Sequence, residues 1–167
     1  PGAKVDQYES IDLAYQALGF DVPKVKLFPG DTKLTHFIEG QTIGEALAKA
    51  TPEQARLLIA KAQKGFVADA LFANYDVAGL GMDNLLVDGG GQIWRIDNGG
   101  SFRFRAQGGD KTFGAEVTEL KTMRDAKINP SAAKLFGSIT DKEIQKQIAA
   151  ILKKREKLLA ALPAELR

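Results

Sequence analysis

The sequence predicts an α+β fold, and three observations carry the prediction. Apolar residues recur at helical spacing near both ends of the chain. Two pairs of short alternating runs are each joined by turn-forming residues, and a capped, nearly all-apolar helix lies between those pairs. At 167 residues, with 44% apolar and 26% charged residues, the chain suits one domain with a real core.

Taken in order, Val5, Tyr8, Ile11, Leu13, Tyr15 and Leu18 predict a first helix over residues 4–18, and Gly19 is placed for a left-handed C-cap. Pro23 pushes Val22 toward extended geometry, and residues 25–28 alternate as a strand. Pro29-Gly30-Asp31 signals a turn, residues 33–38 the returning strand, and Gly40 its end. The chain then passes through a polar turn into a short helix near Leu47. Thr51-Pro52-Glu53-Gln54 combines a capping hydroxyl, proline at the first helical position and a glutamine three residues after the cap. The helix it opens runs through Ala55, Leu58, Ile59, Ala62, Phe66 and Ala70 as far as Ala73.

A polar loop, residues 74–84, follows with two glycines. Residues 85–87 and 93–96 are strands joined by Asp88-Gly89-Gly90-Gly91, a composition that tolerates positive φ. A glycine-rich exposed stretch leads to Lys111, and a helix is expected over 115–125. Asn129-Pro130-Ser131 opens a short helix to Phe136. Thr140-Asp141-Lys142-Glu143 reads as a capping box for a final helix carrying Ile144, Ile148, Ile151, Leu152, Leu158 and Leu159.

Composition excludes several classes. A net charge of +2 does not predict nucleic-acid binding, and the Lys153, Lys154, Arg155 and Lys157 run reads as a solvated helix face. With no cysteine there is no disulfide, thiolate metal site or cysteine nucleophile. His36 is the only histidine, so zinc is not expected, and it reads as a strand residue. No apolar run approaches the roughly 20 residues of a membrane span, and no secretory signal pattern opens the chain. A soluble, cytoplasmic protein is expected, delivery into another cell remaining compatible. Trp94 and Phe102 are expected in the core.

The residues that look like chemistry are concentrated between Phe66 and Arg105. Asn74 and Asp76 follow a buried helix, where a positioned carboxylate can orient a hydroxyl proton; the same residues also shape ordinary turns. Asn84 and Asp97 flank a strand pair, and a tight hairpin brings them side by side. One neutral oxygen and one carboxylate can hold a magnesium ion whose other ligands are water and phosphate; ordinary hairpin ends are the alternative, and they account best for Asp83 and Asp88. The loop lacks the EF-hand spacing, and no Walker phosphate loop occurs.

Helix, aspartate loop, asparagine, strand, tight turn, strand and Ile96-Asp97-Asn98-Gly99 together resemble the C-lobe of atypical kinases, the HipA-type toxin kinases and phosphatidylinositol kinase-like enzymes. Upstream, Tyr15 to Phe28, YQALGFDVPKVKLF, looks like the helix leading into N-lobe strands, and HFIEGQTIG, from His36 to Gly44, looks like the hinge. The resemblance covers roughly residues 5–105. It implies a kinase-like domain over 1–167, with a partial N-lobe (1–40: a short antiparallel sheet plus one helix) and a mainly helical C-lobe (41–167) containing a metal-site β-hairpin.

By the same resemblance, Asp76 is the catalytic aspartate, supported by Asn74, while Asn84 and Asp97 are the magnesium ligands. Glu9 is the helix glutamate that pairs with the ATP-binding lysine, the backbone at Glu39 and Gly40 meets the adenine, and Arg103, with Arg105 and Lys111, contacts phosphate or an acidic substrate, a solvated loop balancing Asp110 and Glu116 being the alternative for these three. Asp76 and Asn84 are eight positions apart where these kinases have five, so the loop bulges by three and Asp83 competes for the catalytic role. Nothing before Glu9 supplies a glycine-rich loop or a lysine-bearing strand. Those strands are expected to have been removed, to come from another polypeptide, or to be missing as in a pseudokinase; Pro1 favours removal.

The implied activity is phosphoryl transfer from ATP with Mg2+ to a protein, lipid or small-molecule hydroxyl. A non-catalytic pseudokinase or kinase fragment acting as a protein-binding module is the alternative, and transfer of AMP is a third.

Overall fold

A computed structural model of the chain describes residues 2–29, 32–105 and 109–166, the side chains of residues 2–9, 27 and 165 lying outside that description. Gly30 and Asp31 of the expected turn, part of the stretch before Lys111, and the side chain of Glu9 are thus outside the described residues.

The architecture is α+β. In chain order it runs α1 (Gly2–Leu18), β1 (Val25–Phe28), β2 (Thr32–Thr35), β3 (Gly40–Thr42), α2 (Ile43–Lys49), α3 (Pro52–Gln63) and α4 (Phe66–Leu71). Then come β4 (Leu85–Asp88), β5 (Ile93–Arg95), α5 (Glu119–Thr122), α6 (Pro130–Phe136), α7 (Asp141–Lys153), α8 (Arg155–Ala161) and a closing 3₁₀ turn, Ala164–Leu166. β1 and β2 form an antiparallel hairpin, and β3, β4 and β5 form a second antiparallel sheet with β4 in the middle. No described helix is long and apolar enough to cross a membrane.

α1 buries Ile11, Ala14, Tyr15 and Leu18, one helical face at i, i+3, i+4 and i+7, and leaves Leu13 exposed. It ends where Gly19, at φ +90°, lets the Phe20 N–H reach the Tyr15 carbonyl and the Gly19 N–H reach that of Gln16, a Schellman closure. Capping also sets the other helix starts. Thr42 and Thr51 each form a reciprocal capping box, with Glu45 and Gln54, and Asn129 and Thr140 accept from the Ala132 and Glu143 amides.

The helix expected to continue to Ala73 is instead broken at Lys64-Gly65 into α3 and α4. Arg95 packs against the break: a Cβ on Gly65 would lie 1.9 Å from its Nη2, so the guanidinium occupies the space a side chain would need. The groups freed by the break are satisfied from two sides. Gln147, buried on α7, accepts from the Val67 N–H at 3.1 Å and donates to the Gln63 carbonyl at 2.8 Å, while Arg95 Nη2 donates to the Ala62 carbonyl. α4 is buried along Phe66 to Ala70 and lies between two apolar clusters. One gathers Phe66, Val87, Leu135, Phe136 and Ile144 around the second sheet; the other joins α1 and α8 through Tyr15, Phe72, Phe102, Leu158 and Leu162.

Four further expectations change. β2 stops at Thr35, not at residue 38; the His36 N–H pairs once more with the Lys24 carbonyl and the chain then leaves, exposing Phe37. Gly40 does not end a strand but begins β3, whose partner Asp88 is too distant in sequence for any local pattern to announce. The helix expected over 115–125 shrinks to Glu119–Thr122, and the chain before it carries Phe113 edge-on to Phe102, ring centroids 5.6 Å apart. The final helix divides at Lys154, whose Nζ donates to the Leu18 carbonyl and re-aims α8 so that Leu158 and Leu162 reach α1. Phe102 is buried as expected, whereas Trp94 is only half-buried and donates its Nε1–H to Asp88 at 2.8 Å.

Candidate active site

The loop after α4 is held on three sides before it reaches Asp76. Asn74, fully buried, donates through Nδ2 to Tyr15 Oη at 3.0 Å and to Asn98 Oδ1 at 3.2 Å. Tyr75 is pinned at both ends, its carbonyl accepting from Asn129 Nδ2 and its hydroxyl donating to the Ile128 carbonyl, each at 2.8 Å. The Ala73 carbonyl accepts from Lys111 Nζ. The carbonyl of Asp76 itself accepts from Asn84 Nδ2 at 2.7 Å, which closes the eight-residue gap that the sequence left as a bulge.

Residues 84 and 97 meet through the hairpin. The β4–β5 register pairs Leu85 with Arg95, and the Ile96 N–H continues it by donating to the Asn84 carbonyl at 3.1 Å, which sets Asn84 opposite Ile96 and next to Asp97 in register. Asp76 feels the convergence. Burial raises its carboxyl first, the charges of Asp97 and Asp83 raise it further, and the Asn84 hydrogen bond with the Lys111 charge pulls it back. Asp76, Asp83, Asn84 and Asp97 therefore share one end of the hairpin. Asp76 also lines a cleft of about 480 Å³ with Tyr75, Leu80, Arg105, Lys111 and Glu119.

Beneath this end lies a buried polar network. Arg95 makes two hydrogen bonds to Asp69, Nε to Oδ1 at 2.6 Å and Nη2 to Oδ2 at 2.8 Å, and its guanidinium lies 5.1 Å from the Phe20 ring centroid. Tyr15 donates to the same Asp69 oxygen at 2.9 Å. Asn98, the neighbour of Asp97, is fixed by Asn74 on one side and by Asp12 Oδ1 at 2.9 Å on the other. Burial drives Asp12 up to about 6, the Asn98 hydrogen bond and the Lys33 charge opposing it and Asp97 reinforcing it.

Of the residues expected at the site, Asp76, Asn84 and Asp97 come together. Asn74 lies under the loop and faces Tyr15 and Asn98, so it can position the loop but cannot touch a ligand. Glu39 and Gly40 are exposed at the turn end of the hairpin, with Gly40 opposite Asp88, about 13 Å along the strand from Asn84. Arg103 is exposed and lines no part of the cleft that Arg105 and Lys111 enter. The Glu9 side chain lies outside the described residues, and the α1 carboxylate seen to reach the site is Asp12, one turn further on.

Sequence reasoning missed Asp12, Asp69, Arg95, Asn98 and Glu119. A lone aspartate inside the apolar run Phe66 to Leu71 was the available signal, since a buried carboxylate demands a cation. Among the described residues no group of three or more His, Cys, Asp or Glu side chains is arranged to hold a metal by itself. Asn84 and Asp97 offer two oxygens, which suits a magnesium ion that arrives with phosphate and water rather than a closed protein cage. Scans against protein-family models, curated proteins and solved structures found no match to the chain.

Proposed function

We propose that this chain is a phosphotransferase domain of atypical kinase-like fold, transferring a phosphoryl group from ATP with magnesium to a protein, lipid or small-molecule hydroxyl. The observation that carries the reading is the meeting of Asp76, Asn84 and Asp97 at one end of the hairpin, beside an open cleft. Asn84, whose nitrogen is used by the Asp76 carbonyl, keeps its amide oxygen as the atom for a cation, and Asp97 adds a carboxylate. Asp76, held by its neighbours and raised from the usual carboxylate value by burial and by the Asp97 and Asp83 charges, orients the acceptor hydroxyl from the cleft wall and takes its proton. When bound, magnesium supplies charge neutralisation for the transferred phosphoryl group. The separation of Gly40 from Asn84 along the sheet suits a long ligand with a base at one end and phosphates at the other.

A non-catalytic binding module is the second reading, and Asp12 favours it: this α1 carboxylate accepts from Asn98, and burial pushes it up more than the neighbouring charges pull it down, which is the state of a structural acid. Thermal unfolding with and without ATP and magnesium separates the two. A ligand that binds only the folded chain raises Tm by mass action. The phosphotransfer reading expects a rise that needs both ATP and magnesium and disappears in Asp97→Asn. No rise in the wild-type chain supports the binding module, and an undiminished rise in Asp97→Asn sinks the metal assignment.

A further inference from the structure

We propose that Lys111 is a positioning residue whose amine staples the segment leading into Asp76 to the segment that follows Asp97. Only the functional half of this inference rests on the phosphotransfer reading. Lys111 Nζ donates to the carbonyls of Ala73 and Gly100. The two segments are already joined where the Phe102 N–H donates to the Phe72 carbonyl at 2.7 Å and where Asn74 Nδ2 donates to Asn98 Oδ1 at 3.2 Å, and Lys111 adds a charged link beside these bonds.

Each segment contains a residue in the left-handed region, Ala73 at φ +50° and Phe102 at φ +55°. Non-glycine residues hold that geometry only where their surroundings over-determine it. An ammonium group supplies three donors, so two can serve the carbonyls while one remains for the cleft. A neutral donor could not bind both as strongly, because charge assistance roughly doubles such bonds.

The groups facing the amine are Glu119 on α5 and Arg105 and Asp76 on the loops, and burial lowers Lys111 to about 8. The staple is thus charged at neutral pH and loses its charge in mildly alkaline solution. Its loss should loosen Asp76 relative to Asp97, the remaining links being neutral hydrogen bonds.

Amide hydrogen exchange and magnesium–ATP titration on wild type, Lys111→Met and Lys111→Arg test this. In Lys111→Met, exchange at residues 72–78 and 98–104 should speed by about tenfold or more while α7 is unchanged, and arginine should restore most of the protection. Wild-type protection at these segments, corrected for intrinsic exchange, should fall as pH rises through about 8, whereas the Lys111→Arg profile stays flat. That pH comparison decides the matter even if Lys111→Met does not fold. Unchanged exchange in a folded Lys111→Met, or an equal alkaline loss in Lys111→Arg, overturns the staple. Lost protection in Lys111→Met, with no magnesium–ATP binding by wild type at any pH, leaves the staple standing and removes the phosphotransfer reading instead. If wild type does bind, its affinity should fall with the same alkaline profile.

Discussion

Arg95 grips Asp69 through two hydrogen bonds of 2.6 and 2.8 Å with both side chains almost wholly withdrawn from solvent. A strand end is thereby fastened to a helix buried from Phe66 to Ala70. Losing one partner strands a charge, so Asp69→Leu or Arg95→Met should each cost about 3–5 kcal/mol in urea unfolding, while the two together should cost clearly less than the sum. Equal and additive losses would show that the pair is not coupled.

Gly65 tests the same pair from the backbone side. Its absent Cβ is the space Arg95 fills, so Gly65→Ala should destabilise by about 2 kcal/mol or more in wild type and far less in an Arg95→Met background. A similar cost in both backgrounds would mean that the helix break, rather than the guanidinium, sets the requirement.

Asp12 makes stability depend on pH. Its folded carboxyl is raised to about 6 from 3.8, so the folded state binds the proton more tightly than the unfolded chain does. This group therefore helps most in acid, its help fades as pH rises from about 4 to about 6, and above that it leaves a penalty of about 3 kcal/mol. Asp12→Asn, which can still accept from Asn98, should be more stable than wild type at neutral pH, the advantage vanishing near pH 4. A pH-independent difference between the two proteins would refute the assignment.

Gln147 bridges the α3–α4 break with both ends of its amide. Gln147→Leu keeps the size but leaves the Val67 N–H and Gln63 carbonyl without that partner, and should cost about 1–3 kcal/mol in chemical denaturation. Gln147→Glu retains only the acceptor and sets a buried carboxylate against the Gln63 carbonyl and Glu143, so it should cost more than leucine at neutral pH.

For the proposed reaction, Asp76→Asn should lower the turnover rate by roughly 10²–10⁴ and leave the affinity for magnesium–ATP nearly unchanged. A parallel loss of binding in that variant would move Asp76 from the acceptor side to the nucleotide side.

What could be read before folding was local. Thr51, Asn129 and Thr140 announce helix starts because capping is a matter of three or four consecutive residues. Asp76, Asn84 and Asp97 could be grouped because one hairpin, closed by a short turn, joins two of them. The helix breaks at Gly65 and Lys154 were hidden, since the groups packed against them, Arg95 and the Leu18 carbonyl, lie far along the chain. The same distance concealed the Asp12–Asn98 and Asp69–Arg95 bonds: neither partner carries a local signal for the other.

The β1–β2 hairpin has a consequence for how the molecule behaves in company. Among the described residues neither of its edges pairs with a further strand, and it exposes Phe28 and Leu34. Lys24, Lys26 and Lys33 are set along or beside it, with the Lys26 ammonium 5.2 Å from the Phe28 ring centroid. Such ribbons invite strand addition unless like charges keep copies apart. Added salt, by shortening the screening length, should therefore promote self-association that starts at this ribbon.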